Sequence, residues 1–81
     1  MTDQVIKKTI EEVTGNSATD IKPDSDLVED LGISNEEMLN IIKRVQLKLQ
    51  IELSSEAKKE LMREAQSVQD LIDIVQEEYE F

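Results

Sequence analysis

Ser34, Asn35 and Glu37 are the residues of this chain best placed for chemistry, and they stand together at one helix start. The run Asp30-Leu31-Gly32-Ile33-Ser34-Asn35 closes a polar loop and opens an amphipathic helix. Ser34 brings a hydroxyl, a group that can be esterified. The same hydroxyl has a structural use. Ser34 and Glu37 have the S-x-x-E spacing of a capping box, in which the hydroxyl accepts from the backbone N–H three residues on and the carboxylate reaches back. Asn35 offers an amide, which also starts helices well.

The rest of the composition narrows the chemistry. The chain has no His, which removes the commonest general base and the commonest transition-metal ligand. It has no Cys, so no disulfide, thiolate metal site or cysteine nucleophile is expected. Its carboxylates fall on helix surfaces and in a loop, where the sequence marks nothing that would shift their pKa values, and no Gly-rich phosphate cradle is present. An enzyme is not expected. The loop acids begin a calcium pattern at Asp24-x-Asp26, but Glu29 takes the place of the required Gly and Asn35 that of the distal Glu. No metal site is expected. A net charge of −10 disfavours nucleic acid, whose phosphates select Lys and Arg. No apolar run reaches the length of a membrane span, and the first residues lack the regions of a signal peptide. A cytoplasmic location is the expectation.

Four helices must position these residues, within one domain over residues 1–81. Val5, Ile6, Ile10 and Val13 recur at helical spacing, so the first helix covers residues 3–14, stopped by Gly15-Asn16. A long polar loop follows over 16–34. Its apolar residues Ile21, Leu27, Val28 and Leu31 suggest that it packs across the helices. The second helix begins near Asn35 and carries Met38, Ile41, Ile42, Val45 and Leu49 on one stripe, with Leu47 opposite and exposed. Ser54 or Ser55 caps a short third helix ending near Glu64, with Ala57, Leu61 and Ala65 inward. Ser67 caps a fourth, with Asp70 in its first turn and Val68, Leu71, Ile72, Val75 and Tyr79 on its apolar face. The only aromatics are Tyr79 and Phe81, so the core is aliphatic. No alternating pattern demands a sheet; Ile51-Glu52-Leu53 is too short. The fold class is all-α, three longer helices and one short, with a long first loop.

Asp20-Ile21-Lys22-Pro23-Asp24-Ser25-Asp26-Leu27-Val28-Glu29-Asp30-Leu31-Gly32, the turn Ile51-Glu52-Leu53 and the fourth-helix start Ser67-Val68-Gln69-Asp70-Leu71-Ile72-Asp73 resemble, in order and approximate spacing, the acyl carrier protein family. Asp30-Leu31-Gly32-Ile33-Ser34-Asn35 resembles the family's prosthetic-group motif, Asp-Leu-Gly-x-Asp-Ser-Leu. The resemblance covers nearly the whole chain and implies the four-helix acyl-carrier bundle. In the family the motif serine is esterified by phosphopantetheine, whose thiol carries the acyl group. Here that position is Asn35, whose amide cannot take the place of the phosphodiester oxygen. Ser34 lies one residue early, rotated by about 100° around the helix. The family's exposed Leu, gripped by partner enzymes, is here Glu36. The family's second helix is acidic; residues 35–50 here set Glu36 and Glu37 against Lys43, Arg44 and Lys48, a net of +1.

The expected function is that of an acyl-carrier-like module without its phosphopantetheine arm, acting through protein contacts, with no cofactor. Its partners are proteins, acyl-handling enzymes among them, and it is expected to be a monomer. The expected contact residues are Glu36, Leu39, Lys43, Arg44, Leu47 and Lys48, with the three cations suited to an acidic partner. One alternative is a working acyl or aminoacyl carrier in fatty-acid, lipid or secondary-metabolite synthesis, bearing phosphopantetheine on Ser34. Another is a small adaptor or regulatory domain unrelated to acyl chemistry.

Overall fold

Capping residues punctuate this chain into helices at the places where its apolar periodicity starts and stops. A computed structural model describes residues 2–79, Tyr79 by its backbone. It places α1 at Thr2–Thr14, α2 at Asn35–Leu49, α3 at Ser55–Arg63 and α4 at Val68–Tyr79. All four described helices are α-helices, and the described residues include no strand. The expected inward contribution of the Tyr79 side chain lies outside the described residues.

Each boundary has a local cause. Gly15 ends α1 at a φ of +80°, with its N–H donated to Glu11 O at 2.9 Å. Ser34 caps α2 and Ser54 caps α3, the latter accepting from the Ala57 N–H at 3.1 Å. Ser67 Oγ accepts from the Asp70 N–H at 3.2 Å, while Asp70 Oδ2 accepts from the Ser67 N–H at 3.1 Å. That is a second reciprocal cap, with Asp in the role that Glu37 has in α2.

Each helix turns one apolar face inward: Ile6 and Ile10 from α1, Met38, Ile41, Ile42 and Val45 from α2, Ala57 and Leu61 from α3, and Val68, Leu71, Ile72 and Val75 from α4. Burying such side chains stabilises by roughly 1.5–3 kcal/mol each. Leu49 and Ala65 pack against this core only partly buried, and Ala65 lies beyond the end of α3.

The long connection is ordered. A 3₁₀ turn at Ala18–Asp20 opens it. Ile21, Leu27, Leu31 and Ile33 are buried in the core, so it does pack across the helices. Val28 is the correction: it stays 69% exposed, because the turn that buries Leu27 and Leu31 points the three residues between them to solvent. Backbone pairing ties the loop to the approach of α4. Leu27 N–H donates to Gln66 O at 2.9 Å, Val68 N–H to Ser25 O at 3.1 Å, and Gln69 N–H to Pro23 O at 2.9 Å. Asn16 anchors the other side, its amide nitrogen donating to Leu31 O at 3.0 Å.

Candidate functional site

The start of α2 is held from below by the loop. Asp26 O accepts from the N–H groups of Asp30 and Leu31, both at 3.1 Å, and Asp30 Oδ2 accepts from the Asp26 N–H at 2.7 Å. This single turn ends at Gly32, whose φ of +64° is the left-handed conformation that glycine adopts without strain. Ile33 N–H then reaches back to Leu27 O at 2.9 Å, and the buried Ile33 side chain fixes the residue before the cap. Ser34 follows in extended conformation. Its Oγ accepts from the Glu37 N–H at 3.1 Å, and Glu37 Oε1 accepts from the Ser34 N–H at 3.0 Å. The capping box is complete. Ser34, Asn35 and Glu36 are all exposed. The hydroxyl at this helix start belongs to the cap residue, while the first helical residue presents an amide.

Along α2 the expected contact residues separate into two groups. Met38, Ile41, Ile42 and Val45 define the buried side. Leu39, Lys43 and Leu47 recur every four residues on the opposite side, forming one line along the helix. Leu39 is 50% and Leu47 78% exposed, as large apolar side chains seldom are in line on a solvated helix. Glu36 lies at the head of the same face. Arg44 and Lys48 are turned toward α1, where Glu12 Oε1 accepts from Lys48 Nζ at 2.8 Å and from Arg44 Nη1 at 3.4 Å. Lys48, and then Arg44, hold the Glu12 carboxyl below the usual range. The three cations of α2 therefore do not form one free patch: two are occupied within the chain, and Lys43 forms no ion pair with a described residue.

Among the spaces that border α2, two lie along its buried and outer sides. On its buried side, among Ile6, Ile41, Val45, Leu61, Leu71 and Val75, the helices leave about 10 Å³, roughly what one water requires. No hydrocarbon chain fits there in this arrangement. On its outer side, an open groove of about 500 Å³ runs between the end of α2 and α3, lined by Lys43, Gln46, Leu47, Ile51, Glu52 and Lys58.

Four of the other acids have structural uses. Asp26 and Asp30 build the turn before Gly32. Asp70 is held below the ordinary carboxylate range by the backbone N–H groups of Gln66 and Ser67, and Glu78 by hydrogen bonds from Ser54. Among the described residues, no three His, Cys, Asp or Glu side chains converge to hold a metal ion. No described helix is long and apolar enough to cross a membrane.

The fold and site thus define a small all-helical bundle with an ordered first loop, a capped serine and an outward apolar–basic stripe. The chain matches no model of a known protein family and no curated protein. The sequence reading missed Glu12 and Lys58. Glu12 lies 32 and 36 positions from its two partners, and Lys58 reaches the groove only because α3 folds against α2. No local pattern signals either.

Proposed function

We propose that this protein is an acyl-carrier-like module that works without a phosphopantetheine arm and acts by presenting the outer face of α2 to a protein partner. The observation that carries the reading is that face: Leu39 and Leu47, half or more exposed, bracket Lys43 on the side of α2 away from the core. Solvated helix faces are normally polar, and exposed apolar residues in register mark contact surfaces. The absence of the arm rests on Asn35, exposed at the first helical position with no hydroxyl to esterify. Support for the carrier likeness comes from the motif order along the loop and from four helices of suitable length.

The cap geometry weighs against Ser34 as a substitute. Its oxygen is the acceptor that satisfies the Glu37 N–H, and a phosphodiester there would crowd the Glu37 carboxylate that completes the box. The test is to incubate the protein with coenzyme A and a promiscuous phosphopantetheinyl transferase and record the intact mass. The expected result is an unchanged mass, together with a discrete cross-linked protein product when a photoreactive residue replaces Leu47 in the native host but not when it replaces Asp73. A mass increase of one phosphopantetheine, placed on Ser34 by fragmentation, would overturn the proposal in favour of a working carrier.

A further inference from the structure

We propose that the groove between the end of α2 and α3 seats an acidic segment of the partner, with one apolar side chain over Leu47 and Ile51 and flanking carboxylates on Lys43 and Lys58. This deepens the contact reading above and rests on it. Three observations point the same way. The groove holds about 500 Å³ and is open to solvent, within the size range of sites that accept a large side chain. Its apolar part comes from Leu47, 78% exposed, and Ile51, partly buried. Its polar part is rich in donors. Neither Lys43 nor Lys58 forms an ion pair with a described residue, in contrast to Arg44 and Lys48. Gln46 Oε1 already accepts from the Leu53 N–H at 2.8 Å, which leaves its NH₂ as a donor. The acid among the lining residues is Glu52, which disfavours a second carboxylate on its side and so sets which way the segment lies.

Charge on the whole molecule argues for a partner gripped at short range. A net charge of −10 repels an acidic chain at a distance. At about 0.15 M salt that repulsion fades beyond roughly 8 Å, so the local lysines and the apolar contact decide the outcome.

The experiment uses the intact protein at 0.15 M salt and three fluorescent peptides of about a dozen residues: an acidic one with a central Leu among Glu and Asp, its amide counterpart with Gln and Asn, and a basic counterpart with Lys. Anisotropy should rank the acidic peptide first. K43Q/K58Q should weaken it by about 3- to 10-fold, as two exposed ion pairs allow. L47A should also weaken it, and E52Q should tighten it. Circular dichroism confirms that these surface variants keep their helices. Equal or tighter binding of the amide or basic peptide, no binding of any peptide, or indifference to K43Q/K58Q would overturn the groove assignment. Those outcomes leave the mass experiment untouched, whereas a pantetheine adduct on Ser34 overturns the armless reading and leaves the groove measurement standing.

Discussion

At the scale of single residues, Ser34 and Asn35 divide the features of the α2 start between them. Ser34 has the hydroxyl and uses it to cap; Asn35 has the first helical position and no hydroxyl. Ser34→Ala is expected to lower stability by about 1 kcal/mol, the usual cost of losing a cap. Urea unfolding checks it, and a loss below about 0.3 kcal/mol would show the box to be idle. The capping box itself was legible in the sequence, because Ser34 and Glu37 are local to each other and their spacing fixes the geometry. Leu47 was legible for the same reason: its phase around α2 places it opposite the core stripe. Glu12 was not, since its role depends on α1 lying beside α2. The sequence shows three cations on one helix, and only the packing of the helices reveals that two of them already have a carboxylate.

At the scale of elements, helix starts were easier to read than helix ends. Ser34, Ser54 and Ser67 each signal a start by chemistry confined to three or four residues. The end of α2 carries no such signal. Gln50 closes it at φ 56° and ψ 45°, a left-handed conformation that a glutamine seldom adopts. Its N–H is donated to Leu47 O at 3.3 Å, and Ile51 N–H reaches Gln46 O at 3.0 Å. The strain is local and removable. Gln50→Gly should raise stability by about 1 kcal/mol, the approximate cost of a side chain in that conformation. The expected reading is a higher urea midpoint at an unchanged slope; an unchanged midpoint would mean that the bend is not strained. The loop is the other lesson at this scale. Its apolar residues correctly announced packing, yet Val28 was counted among them and faces solvent, because the turn buries Leu27 and Leu31, four residues apart, and leaves the three between them exposed.

At the scale of the whole molecule, the depressed carboxylates of Glu12, Asp70 and Glu78 give acid sensitivity a definite sign. Glu12, Asp70 and Glu78 bind protons less readily in the folded chain than in the unfolded one. The stability they contribute is complete above the unfolded carboxylate pKa of about 4 and is lost as pH falls through their lower folded values. Relief of self-repulsion as the acids of this −10 chain titrate acts in the opposite sense. A charge-neutral comparison separates the two. Asp70→Asn should melt below the native protein at pH 7, and the gap should close as pH falls through the lowered folded value of Asp70. Melting curves that stay equally far apart across that range would remove Asp70 from the account.

The pairing of the loop with the approach to α4 also makes the starts of α2 and α4 mechanically interdependent. Gln66 O holds the Leu27 N–H, Leu27 O holds the Ile33 N–H, and the next residue is Ser34. Two hydrogen bonds thus span the distance from the threshold of the last helix to the mouth of the second. A tether or fusion that tugs on α4 is felt where α2 begins, and a fragment cut before Gln66 forfeits the anchorage of that mouth along with its final helix.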